Sequence, residues 1–189
     1  LDLALWLDAA DSDTIELSGS SVTNWMDKSG NDRHTGAATT APTYVENVIN
    51  GNNVVRFSGA AGCFFVLDYT LPANMSVDVR CVYSKPSLGG VNYQRVYSSG
   101  KTGFEDYSSD GIYLIPEFGG NGTLAGGPAM TSGSGVTTTN YFVQMRVGGA
   151  ITGFSPFTGD IAELVITSAK LTTAEITYLE TYLKGKWGL

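Results

Sequence analysis

Short runs of alternating apolar and polar residues, each closed by turn residues, recur along most of this chain, and that period of two restricts it to a β architecture. In "LDLALWLDA", Leu1, Leu3, Leu5 and Leu7 fall on one side and Asp2, Ala4, Trp6 and Asp8 on the other, which predicts a half-buried strand. "MSVDVRCVY" sets Met75, Val77, Val79, Cys81 and Tyr83 inward and Ser76, Asp78 and Arg80 outward. Further strands are predicted in "VTNWMD", "NNVVRFS", "CFFVLDYTL", "QRVYSSG", "GIYLIPEF", "NYFVQMRVG" and "GDIAELVIT". Asn50-Gly51 in "VINGNNVV" marks a hairpin, because a type I′ turn needs positive φ at both central positions. "SKPSLGG", "KTGFEDYSSDG" and the glycine-rich "EFGGNGTLAGGPAMTSGSG" read as loops.

One segment departs from this period. In "LTTAEITYLETYLKGKWG", Thr172 and Glu175 form a capping box, Ile176, Leu179 and Leu183 make an apolar stripe, and Lys184 and Lys186 sit in the last turn before Gly188. Around nine strands and one terminal helix predict an all-β, two-sheet antiparallel sandwich with a short C-terminal helix, a single domain over residues 1–189.

Charge narrows the function classes. Only 15 % of residues are charged and the net charge is −7. The eleven basic residues are scattered, so no nucleic-acid surface is expected. No apolar run approaches the ~18 residues that span a bilayer, so membrane insertion is not expected. Cys63 and Cys81 match no zinc spacing and lie in strand-like runs, which favours two buried thiols over a disulfide. No leader is visible and the sequence starts at Leu1, as expected of a processed product, an excised domain or part of a longer polypeptide.

Both ends of the chain carry a resemblance. "LALWLDAADSDTI", "VTNWMDKSGNDRH" and "NVINGNNVVRFSG" near the start, and "FTGDIAELVITSAKLTTAEITYLETYLKGKWGL" at the end, resemble the concanavalin A-like, laminin G-like family. The resemblance implies a jelly-roll of two antiparallel sheets with the terminal strands adjacent. It further implies a carbohydrate-binding or attachment role, in a secreted, cell-surface or virion-surface setting. Between "NYFVQMRV" and "FTGD" the chain is shorter than the family's hairpin.

Catalysis finds little support. A glycosidase needs two carboxylates flanking the scissile bond. The glucanase relatives carry an E-x-D-x-E strand, and this chain has none. Asp160 and Glu163 are three apart and are therefore expected on opposite faces. Asp11 and Asp13, and likewise Glu105, Asp106 and Asp110, fall in loops. His34, the only histidine, is expected at the surface, and no nucleophile elbow, P-loop or dinucleotide fingerprint is present.

The stretch "WMDKSGNDRH" admits two readings. Asp27, Ser29, Asn31 and Asp32 offer hard oxygen ligands suited to calcium, although not in EF-hand order. The favoured reading is an Asx-turn at Asp27 with Gly30 supplying positive φ, in which case no cofactor is needed. Trp6, Trp25 and Trp187 are expected to pack. Sugar recognition uses aromatic rings beside planar hydrogen-bonding groups, and the loop residues offering these are Tyr93, Gln94, Phe104, Glu105, Asp106, Tyr107 and Asn121. The expected partner is a glycan or cell-surface polysaccharide. The competing expectation is a virion or cell-surface building block that binds neighbouring structural proteins or copies of itself.

Overall fold

The computed structural model describes residues 1–67, 69, 76–85, 97–100, 112–114, 128–137, 144–149 and 156–189. Among them are twelve strands: β1 (Leu3–Asp8), β2 (Ile15–Ser18), β3 (Ser21–Trp25), β4 (Thr43–Ile49), β5 (Asn52–Ser58), β6 (Phe65–Leu67), β7 (Ser76–Ser84), β8 (Tyr97–Gly100), β9 (Ile112–Leu114), β10 (Pro128–Thr137), β11 (Gln144–Val147) and β12 (Thr158–Thr167). One helix, α1 (Thr173–Trp187), follows. The larger sheet runs β10-β7-β12-β5-β4-β3-β2, with β1 also paired to β12, and the smaller runs β6-β11-β8-β9. Every pairing is antiparallel. The predicted sandwich with a C-terminal helix therefore forms. All nine expected strands are present, joined by β2, β4 and β10.

Strand β10 corrects the expectation of a loop over its residues. "PAMTSGSGVT" carries little side-chain signal for a strand, yet Pro128 to Gly133 pair residue by residue with Ser84 to Val79. It is the outermost strand of the order, and Pro128 opens it, where a missing N–H costs no ladder bond. The ladder with β7, not side-chain pattern, makes it a strand.

Between the sheets lies the main core. Val77, Val79, Cys81 and Tyr83 of β7 face it as expected, against Phe65 and Leu67 of β6 and Met145 and Val147 of β11, while Met75 lies outside the described residues. Phe57, Phe65, Phe157 and Tyr83 meet edge to face at its centre. Both cysteines are buried and unpaired. Burial pushes the Cys81 thiol pKa far up, so that thiol is inert.

A second core lies on the opposite face of the larger sheet, under α1. Leu179, Leu183 and Trp187 of the helix cover Val54, Val82, Ala162 and Val165. The capping box forms as predicted, with Thr172 Oγ1 accepting from Glu175 N and Glu175 Oε2 accepting from Thr172 N. Gly188 closes the helix in the left-handed region at φ 70°. Because the helix covers this face, Asp78 and Arg80 point outward, as predicted, but are buried: Asp78 accepts from Leu171 N and Arg80 donates to Glu180.

Two bulges correct the simple alternation. The β1–β12 register shifts between Leu3 and Leu5, so Leu5 and Leu7 enter the main core while Leu3 joins Trp6 on the helix side. Strand β1 is thus covered on both faces rather than half-buried. In β12 two residues oppose one of β7 between Ile161 and Glu163. Ile161 stays in the main core, while Ala162 and Glu163 both turn to the helix side. Asp160 and Glu163 therefore share a face, contrary to the period-two expectation.

Glu163, fully buried, is held by four donors. Its Oε1 accepts from Trp6 Nε1 at 2.7 Å and Tyr182 OH at 3.2 Å, and its Oε2 from Trp187 Nε1 at 2.7 Å and Lys186 Nζ at 2.9 Å. Asp8, its register partner, also binds Lys186 and takes Lys28 at 2.9 Å. Two carboxylates do converge here, then, but on a lysine beneath the helix. Burial opposes the Lys186 charge, and the charges and hydrogen bonds of Glu163 and Asp8 outweigh it, raising the lysine pKa above its ordinary value.

Replacing Glu163 by Ala should cost about 3 kcal/mol in urea unfolding, because it strands buried donors and half of a buried ion pair. The stability drawn from Lys186 is complete below the unfolded lysine pKa of about 10.4 and is lost as pH rises through the raised folded value. Urea midpoints followed into that alkaline range should fall in the native protein and fall less in Lys186→Met.

Candidate functional site: a polar groove beyond the helix

The face that α1 covers changes character toward the end of the sheet where β5 and β7 terminate and β12 begins. Outward positions there carry Arg56 and Ser58 on β5, Ser84 on β7, and Thr158 and Asp160 on β12. Register aligns them. Thr43 of β4 opposes Arg56, Arg56 opposes Asp160, and Asp160 opposes Ser84. A hydroxyl, a guanidinium, a carboxylate and a second hydroxyl thus stand in one row across four strands. They line a groove of about 440 Å³.

The centre of the row is a fork. Arg56 Nε donates to Asp160 Oδ1 at 2.7 Å and Arg56 Nη2 to Asp160 Oδ2 at 3.0 Å. Donating to the Asp160 carboxylate pushes the Arg56 pKa above its usual value, against a smaller effect of burial. The Arg56 side chain is 47 % exposed and that of Asp160 8 %, so solvent screens the pair from the arginine side and its contribution to stability is about 1 kcal/mol. Backbone geometry at Gly159 keeps the row tight: its φ is 145°, and a Cβ there would sit 2.4 Å from the Ser84 carbonyl oxygen.

Sequence alone placed none of these residues in a site. Arg56 and Asp160 are 104 residues apart, and only the β5–β12 register joins them. The loop residues singled out for sugar contact (Tyr93, Gln94, Phe104, Glu105, Asp106, Tyr107 and Asn121) lie outside the described residues. The three tryptophans pack as expected: Trp25 and Trp187 are buried, and Trp6 lies under Lys28 and against Tyr182.

The loop Trp25 to His34 covers the free edge of β1. Asp27 Oδ1 accepts from Trp6 N at 2.9 Å and Ser29 N at 2.9 Å, and Oδ2 from Ser29 Oγ at 2.7 Å and Arg33 N at 3.2 Å. Lys28 N donates to the Trp6 carbonyl, Asn31 Nδ2 to that of Leu3, and Arg33 to that of Ala4. The edge strand's polar backbone is thereby matched by a loop. His34 is not simply a surface residue, since its Nδ1 accepts from Asp27 N at 3.0 Å. Of the four residues suited to calcium, Asp27, Ser29 and Asn31 are joined by hydrogen bonds, while the Asp32 side chain is 92 % exposed. Among the described residues no group of three or more His, Cys, Asp or Glu side chains is arranged to hold a metal. Adding calcium or a chelator should leave the melting temperature unchanged in calorimetry, whereas Asp27→Ala should cost about 2–3 kcal/mol by stranding backbone donors.

No protein-family model matches the sequence, and no curated protein matches it. Among solved structures the fold is similar to domain 4 of AbnA, an extracellular GH43 arabinanase from Geobacillus stearothermophilus, determined in complex with arabinotriose. The likeness has a TM-score of 0.61 at 15 % identity and covers 94 % of this chain and 98 % of that one, so what the two share is the sandwich fold.

Proposed function

We propose that this domain binds carbohydrate without transforming it, and that the groove over Arg56 and Asp160 is where it does so. The observation that carries this reading is the aligned row of hydroxyl, guanidinium, carboxylate and hydroxyl groups on a rigid sheet face. Planar donors and acceptors fixed in that way orient sugar hydroxyls. The near full-length likeness to an arabinanase domain solved with arabinotriose supports it. So does the resemblance of both chain ends to the concanavalin A-like, laminin G-like family.

Hydrolysis is the weaker reading. Among the described residues Asp160 is the single acid lining the groove, and a glycosidase needs two. The converging pair Asp8 and Glu163 is buried and saturated by lysine and indole donors. The domain would serve as the targeting or attachment part of a secreted or surface polypeptide, and no helix among the described residues is long and apolar enough to cross a membrane.

Affinity electrophoresis through gels containing neutral polysaccharides, paired with a reducing-sugar assay, tests this. At least one polysaccharide should retard the protein, and prolonged incubation should release no new reducing ends. Retardation by none, together with concentration-dependent self-association in light scattering, would replace the proposal with an assembly role on neighbouring structural proteins.

A further inference from the structure

We infer that the groove is selective for neutral saccharides, held through adjacent ring hydroxyls, and excludes uronic acids. This rests on the glycan-binding reading and adds the class of sugar. Arg56 is the one cation lining the groove among the described residues, and Asp160 already neutralises it through both of its oxygens. A carboxylated sugar approaching the guanidinium would also meet the field of the Asp160 carboxylate paired with it. The neutralised pair would offer it little net attraction, in a protein whose overall charge is −7.

A neutral diol meets complementary groups instead. Among the described residues, Arg56 Nη1 has no partner, because the fork to Asp160 uses Nε and Nη2. Each Asp160 oxygen accepts one bond from Arg56 and keeps a further lone pair. One sugar hydroxyl can donate to the carboxylate while its neighbour accepts from Nη1. The Thr43 and Ser84 hydroxyls extend the row on either side, three inter-strand steps of ~4.8 Å or about 14 Å in all. That length suits a short stretch of oligosaccharide better than a single ring. The pair is pre-formed on two strands, so binding need not order it.

Titration calorimetry of the intact domain with arabinotriose, xylotriose and galactotriose, against trigalacturonate, tests this, with thermal melts as a folding control. The native protein should bind a neutral trisaccharide with little dependence on salt and should bind trigalacturonate at least about tenfold more weakly. Arg56→Lys, which keeps the charge and removes the fork, should weaken neutral binding about tenfold or more. Asp160→Asn, which uncovers the guanidinium, should weaken neutral binding and create salt-sensitive binding of trigalacturonate. A gain of that kind cannot come from misfolding. Preference of the native protein for trigalacturonate, or neutral binding untouched in both folded variants, would overturn the inference while leaving the glycan reading intact. Binding of no saccharide by the native protein would overturn both.

Discussion

A carboxylate with no solvent exposure has to be surrounded by donors, and around Glu163 those donors come from opposite ends of the chain. Trp6 arrives on the first strand, while Tyr182, Lys186 and Trp187 arrive on the last helix, 157 residues away in the case of Trp6. Helix packing through Leu179, Leu183 and Trp187 is non-directional and tolerates sliding. Four hydrogen bonds to one buried side chain do not tolerate it. The carboxylate thus fixes where α1 sits along the sheet, and the bulge at Ile161 to Glu163 is what turns it toward the helix at all.

Fixing the helix also determines what stays open. The outward face of the larger sheet is continuous, and α1 occupies only the part over Val54, Val82 and Val165. Beyond it the outward residues become polar, and the half-exposed Arg56 guanidinium covers a largely buried Asp160. Strand β12 carries both regimes within four residues: Glu163 sealed among four donors, and Asp160 held by a two-pronged fork at the rim of a groove. The same bulge that puts these two acids on one face separates their roles, since one is spent on the fold and the other remains available.

Much of this scaffold was legible in the sequence. The inward stripe Val77, Val79, Cys81 and Tyr83, the Asn50-Gly51 hairpin with φ of 49° and 76°, and the Thr172–Glu175 capping box all depend on neighbours close in sequence, and all appear as read. The two bulges were not legible, because an inserted residue shifts every later side chain without leaving a local mark. Strand β10 was hidden because its ladder with β7, rather than its side chains, makes it a strand. The groove was hidden for a third reason. Arg56 and Asp160 each fall in a predicted strand, but their meeting depends on the register between β5 and β12. A signal existed, in that one basic and one acidic residue on two predicted strands can pair across a sheet, though it does not name the partner.

The proposed recognition group lies on strands rather than loops, and that has a mechanical consequence. The Arg56 guanidinium loses little freedom on meeting a ligand, because Asp160 already holds it in plane. The Asp160 carboxylate is held by the same fork, and among the described residues no second acid lines the groove beside it. Rigidity and the lone acid thus act in the same direction. They fit the proposed reading of sugar hydroxyls better than cleavage of a glycosidic bond, and both belong to a single cross-strand pair whose position the buried Glu163 and the docked helix leave uncovered.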